Sequence, residues 1–101
     1  MPISKKWSAY TKENVKQKET NNYGVYEIGN STEVLYIGEG QTKTRLLAHF
    51  PNASEPVVGA SGYRTEYSGS KNECLRRQNA LLAEFKMKYG RLPKFNQKSK
   101  N

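Results

Sequence analysis

The stretch YGVYEIGNSTEVLYIGEG, Tyr23 to Gly40, decides how the rest of the chain is read. Two short runs rich in β-formers, YGVYEIG (23–29) and EVLYIG (33–38), flank the polar triplet NST (30–32). Aromatic and β-branched side chains favour a pleated, half-buried surface, and the triplet reads as a turn. The pattern predicts a β-hairpin whose turn is not the two-residue Asn-Gly type. Each strand carries a tyrosine, Tyr26 or Tyr36, close to a glycine. That pairing serves either packing or a site.

Working outward, TKTRLLAHF (42–50) reads as a short helix capped by Thr42 or Thr44, with Pro51-Asn52 at its end. A loop holding two prolines and two glycines (51–62) leads to YRTEYS (63–68), a third strand. A longer helix opens at Ser70 or Lys71. Leu75, Gln78, Leu82, Phe85 and Tyr89 recur at helical spacing, with Leu81 beside them. Gly90 is a natural stop, and RLPKFN (91–96) is an extended exit because Leu92 precedes a proline. Upstream, YTKENVKQ (10–17) makes one or two helical turns capped by Thr11. The order β-β-α-β-α predicts a small two-layer α+β domain, a three-stranded antiparallel sheet flanked by helices. The expected divisions are a basic, partly helical extension over 1–22, the domain over 23–96 and a frayed basic tail over 97–101.

At 101 residues there is material for one modest core. Mean hydropathy is low (-0.92), yet seven tyrosines and the aliphatic clusters argue for a folded domain. No apolar stretch approaches the roughly 20 residues that span a bilayer, and MPISKKWSAY lacks the apolar run of a signal peptide. A single cysteine, Cys74, fits a reducing, cytoplasmic setting. The net charge of +8 points to polyanions. It is uneven: residues 71–101 carry nine Lys and Arg against two acids, whereas 23–40 carry three acids and no base. The basic last third is the expected footprint of a phosphate backbone, or else a solvated helix face.

Arg45 and His49 stand four apart on the first predicted helix and share a face. Glu84, on the second, flanks the predicted apolar stripe. It is either an ion-pair partner of Arg77 or Lys88, or an oxygen ligand for a hard cation. GEGQTK (38–43) fails the spacing of the phosphate-loop and dinucleotide fingerprints. With one His and one Cys there is no zinc site of the usual kind.

Taken together these pieces resemble the GIY-YIG nuclease superfamily. Gly24-Val25-Tyr26 resembles the GIY element with Val for Ile, and Tyr36-Ile37-Gly38 resembles YIG, with nine residues between them. RLLAHF resembles the family's helix. Glu84 resembles its metal-binding glutamate, twelve residues before Asn96 in the closing LPKFN. The resemblance spans Tyr23 to Asn96. It implies an endonuclease that hydrolyses phosphodiester bonds in DNA, or in RNA, with one Mg²⁺ or Mn²⁺. By that resemblance Glu84 holds the ion and Tyr26, its phenol pKa lowered by the ion or by Arg45, activates or positions the attacking water, with Tyr36 close by. Arg45 binds the scissile phosphate, His49 assists proton transfer and Asn96 holds the geometry. Gly38 lets a backbone approach, and Lys43, Arg76, Arg77 and Lys94 join Arg45 on the phosphates. Glu39 departs from the lysine that several members carry after YIG. The alternative is a nucleic-acid-binding module, or a nuclease subunit with little activity alone. A homodimer or a partner protein would supply specificity.

Overall fold

The alternation of apolar side chains along one central strand positions everything else. In the computed structural model, residues 3–97 are described; the expected tail falls outside them apart from Gln97. The elements are β1 (Ser8–Ala9), α1 (Lys12–Lys18), β2 (Tyr23–Gly29), β3 (Val34–Gln41), α2 (Thr42–Leu47), β4 (Gly62–Tyr67), α3 (Lys71–Tyr89) and a 3₁₀ turn (Lys94–Asn96). The sheet is antiparallel with order β1-β4-β2-β3. It has four strands where three were expected. The extra one, Ser8–Ala9, pairs with β4 from within the N-terminal extension and is too short to leave a sequence signal.

β2 and β3 form the expected hairpin. At its turn, Asn30 Oδ1 accepts the backbone N–H groups of Thr32 (2.9 Å) and Glu33 (3.0 Å) and the Thr32 hydroxyl (2.8 Å). Asparagine thereby substitutes a side-chain turn for the Asn-Gly type. Successive residues of a strand face opposite sides. Tyr26 and Ile28 therefore join Leu46, Phe50, Tyr10 and Tyr63 on one face, while Val25 and Ile37 meet Cys74, Leu81 and Phe85 of α3 on the other. Each fully buried aliphatic or aromatic side chain in these clusters contributes roughly 1.5–3 kcal/mol.

The extension is part of the core. Thr11 caps α1 as expected, accepting the Asn14 N–H at 3.1 Å. Tyr10 stacks on Phe50 and donates its hydroxyl to Leu46 O (2.6 Å). Trp7 stays 43% exposed under the Arg64 guanidinium. The buried Glu19 carboxylate accepts the hydroxyls of Tyr63 and Tyr67, both at 2.7 Å, tying the end of α1 to β4. The next residues then cap α2. Asn21 Oδ1 accepts the Thr44 N–H (2.8 Å), Thr20 O accepts that of Lys43 (2.9 Å) and Asn22 O that of Thr42 (3.2 Å). Neither Thr42 nor Thr44 is the cap. The buried Thr42 hydroxyl donates to Asn22 O (3.0 Å), and Asn21 from the preceding loop does the work.

Ser70 caps α3 by accepting the Glu73 N–H (3.2 Å), and Gly90 ends it in the left-handed region (φ 77°). The buried face of α3 is Cys74, Leu81 and Phe85, not the stripe through Leu75 and Tyr89, which are 43% and 54% exposed. At 100° per residue this turns the helix by about 60° from the expected setting. Gln78 and Glu84 consequently lie on opposite sides of the buried stripe.

Candidate active site

The edge of β3 is where chemistry-bearing side chains gather. Tyr26 and Tyr36 lie with ring centroids 6.2 Å apart, and His49 completes the cluster at 5.6 Å from Tyr26 and 4.6 Å from Tyr36. His49 is buried; its Nδ1 is 2.7 Å from Glu55 O and its Nε2 2.9 Å from the Tyr26 hydroxyl. A carbonyl can only accept, so Nδ1 carries the proton and Nε2 accepts from Tyr26. The loop after α2 holds this arrangement, with Glu55 N–H on Ala48 O and Val57 N–H on His49 O, both 2.9 Å.

Tyr26 has no exposed surface. Its phenol lies opposite Gly38 in the hairpin register, where a Cβ would stand 2.5 Å from the hydroxyl oxygen and 2.7 Å from the Tyr36 ring. The room left by Gly38 is thus filled by tyrosine rather than kept for an approaching backbone. Burial pushes the Tyr26 pKa up, Tyr36 adds to that, and Arg45 pulls the other way without prevailing. Tyr36 is likewise raised by burial, against Arg45. The lowering expected from Arg45 is therefore outweighed by desolvation. Tyr36 is the phenol that reaches the surface, and it lines two separate cavities: a groove with Arg45, Glu39, Lys71 and Gln78, and a second with Asn96, Lys86 and Arg91.

Arg45 reaches the groove from α2 and is ion-paired with Glu55. Asn96 holds the strand edge itself: its Oδ1 accepts the Ile37 N–H (2.9 Å) and its Nδ2 donates to Ile37 O (3.0 Å). The amide acts as one residue of a missing strand, closing β3 against further pairing.

Two groups of expected residues lie elsewhere. Glu84 is exposed and lines a separate cavity with Glu27, Arg64, Leu81, Phe85 and Lys88, on the far side of the α3 stripe. The α3 side chain that faces Tyr36 and Arg45 is Gln78, six residues and about 120° away from Glu84 on the helix. Among the basic residues, Arg77 is held bidentately by Glu66 (2.8 and 3.1 Å) and Arg76 pairs with Glu73 (3.0 Å), both away from the groove lining. Lys94 is exposed over the Phe95 ring, and Lys43 is half-buried on α2. The cations beside Tyr36 are instead Arg45 and Lys71 in the groove and Lys86 and Arg91 in the second cavity, the last paired with Glu33 at 3.0 Å. Net charge by segment could locate the basic third but not which of its faces meets the strand edge.

A matching family model covers residues 1–88. The chain belongs to that family, DUF7508, described as a domain of unknown function. No curated protein matches it. Its architecture is that of the GIY-YIG N-terminal endonuclease domain of UvrC from Thermotoga maritima. The form of that domain bound to its catalytic divalent cation, magnesium, aligns at TM-score 0.64 and 22% identity over 85% of this chain and 99% of the domain. A tyrosine-to-phenylalanine point mutant bound to its cation aligns at 0.63 and 22%, over 87% of this chain and all of the domain. The DUF7508 chain thus has the GIY-YIG fold.

A magnesium-type cation takes hard oxygen ligands and keeps several waters, so few protein ligands suffice. Among the described residues no three His, Cys, Asp or Glu side chains converge. The carboxylates beside the Tyr36 groove are Glu55, held by Arg45, and Glu39. Glu39 Oε1 is buried and accepts no hydrogen bond from the described residues; its Oε2 lies 3.6 Å from Lys71 Nζ. A desolvated carboxylate oxygen with an open acceptor position, in a cavity that Gln78 also lines, fits one water-rich hard cation.

Proposed function

We propose that this DUF7508 chain is a divalent-metal-dependent endonuclease that hydrolyses phosphodiester bonds in DNA. The observation that carries this reading is the convergence of Tyr36, Arg45 and the buried Tyr26–His49 pair at one strand edge, flanked by two cavities that each hold two basic side chains. Phosphoryl transfer needs charge stabilisation and in-line positioning more than covalent help.

Each residue has a role in keeping with its surroundings. Arg45 offers a planar fork to the scissile phosphate once Glu55 yields it. The pair is about one-third exposed on the Arg45 side (33%), and such pairs are worth at most about 1 kcal/mol, so a phosphate displaces the carboxylate cheaply. Tyr36 faces the groove and positions the attacking water. Tyr26 and His49 lie beneath it; their hydrogen bond fixes the ring that backs Tyr36, making them positioning residues. Asn96 keeps the β3 edge free of competing pairing. A bound Mg²⁺ or Mn²⁺ supplies Lewis-acid stabilisation of the developing charge.

The second reading is a nucleic-acid-binding module with little activity alone, favoured by the neutral amide of Gln78 where α3 meets the groove. Binding and cleavage of the same labelled duplex separate the two. The nuclease reading expects Arg45→Ala to lower cleavage roughly 100- to 1,000-fold, the cost of one transition-state donor. Binding by the wild type with no product in Mg²⁺ or Mn²⁺ supports the module instead.

A further inference from the structure

We infer that the cation-holding carboxylate of this chain is Glu39 on β3, assisted by the Gln78 amide of α3. This rests on the nuclease reading only for the choice of cation. Three observations carry it.

First, no α3 carboxylate reaches the groove. Helical geometry puts Gln78 there and turns Glu84 into the cavity beside Glu27 and Arg64. Second, Glu39 lines the same groove as Tyr36, Arg45 and Gln78. It stands opposite Val25 on the α3 face of the hairpin, so its carboxylate comes up between the strand edge and the helix. Third, its Oε1 is removed from water without a hydrogen-bond donor among the described residues. A buried carboxylate oxygen in that state is costly unless paired. Lys71 Nζ lies 3.6 Å from the other oxygen, beyond hydrogen-bond reach, and its side chain is 63% exposed. It neutralises Glu39 loosely and swings away at little cost.

The donor set is one carboxylate and one neutral amide oxygen, with water completing the shell. A strongly hydrated cation such as Mg²⁺ accepts such a set at modest affinity. The anionic ligand has, in effect, been placed on the strand rather than on the helix. Adding a second charge at Gln78 should then tighten binding.

The test is isothermal titration of the full chain with MnCl₂ and MgCl₂, without DNA, on the wild type, Glu39→Gln, Gln78→Glu and Glu84→Gln. Far-UV circular dichroism checks that each variant is folded. One Mn²⁺ per wild-type chain is expected. Glu39→Gln should weaken it at least about tenfold, Gln78→Glu should tighten it about tenfold, and Glu84→Gln should leave it unchanged. Equal affinity in wild type and Glu39→Gln overturns the assignment, as does loss of affinity in Glu84→Gln or a wild type that takes up no Mn²⁺. Gln78→Glu keeps the test decisive should Glu39→Gln not fold: no gain in affinity there counts against the site. DNA cleavage by the same proteins keeps the two readings apart. Mn²⁺ bound through Glu39 with no DNA cut leaves the cation site standing and removes the nuclease. Cleavage that survives Glu39→Gln but not Glu84→Gln does the reverse.

Discussion

The two hairpin tyrosines illustrate how one residue type takes two jobs. Tyr26 is buried, its hydroxyl fixed on His49 Nε2 at 2.9 Å; Tyr36 is partly buried on the groove. Tyr26→Phe should remove this buried hydrogen bond and cost about 1 kcal/mol of stability in urea unfolding. Tyr36→Phe should leave unfolding almost unchanged and lower cleavage. An equal loss of stability in both would contradict this division. Gly38→Ala brings a Cβ to 2.5 Å from the Tyr26 oxygen and should destabilise by about 1–3 kcal/mol, read from the same titration. That both tyrosines, Arg45 and Asn96 gather at one strand edge was legible in the sequence because short motifs at fixed spacing name positions directly. Which phenol faces solvent was not legible, since it depends on β3 being the edge strand.

At the scale of elements, the N-terminal extension and α3 carry the lessons. Glu19 gathers the Tyr63 and Tyr67 hydroxyls and so secures the segment that caps α2, from which Arg45 projects. Glu19→Ala should orphan the buried Tyr63 hydroxyl, while that of Tyr67 keeps the Thr20 N–H (2.9 Å), and lower stability by about 1–3 kcal/mol. Wild-type stability would show the anchor to be idle. None of this could be read from 1–22, where a polar lysine-rich run hides a two-residue strand and a carboxylate whose partners lie more than 40 residues away. The hairpin, the Ser70 cap of α3 and its stop at Gly90 were legible, being local. The rotation of α3 was not. Its helical spacing admitted two neighbouring stripes, and the sheet selected the one through Cys74, Leu81 and Phe85. That choice carried Glu84 away from the groove and brought Gln78 in.

Across the whole molecule, burial holds back the ionisation of Tyr10, Tyr26, Tyr36, Tyr63 and Tyr67 from the usual 10.0. A folded-state pKa raised above the unfolded value favours the native state only while the phenol stays protonated. The stability they contribute is complete below pH 10 and lost as pH rises beyond it. Denaturation midpoints should therefore fall steeply above about pH 10, together with the appearance of tyrosinate absorbance. Midpoints that stay level through that range would contradict the burial of these rings. Charge behaves differently at this scale. Much of the basic last third is engaged, Arg76 by Glu73, Arg77 by Glu66 and Arg91 by Glu33, which leaves the groove a smaller footprint than a net charge of +8 suggests. The number of phosphates gripped, read from the slope of log affinity against log salt, should match the few groove cations rather than every Lys and Arg of that third.

The nuclease reading is tested most directly by incubating the wild-type chain with labelled linear, single-stranded, flapped and four-way-branched DNA in Mg²⁺ or Mn²⁺, beside Arg45→Ala and an EDTA control. The expected result is cleavage of at least one substrate that EDTA abolishes and that falls roughly 100-fold or more in Arg45→Ala. Bound but intact DNA on every substrate, in either metal, would contradict it.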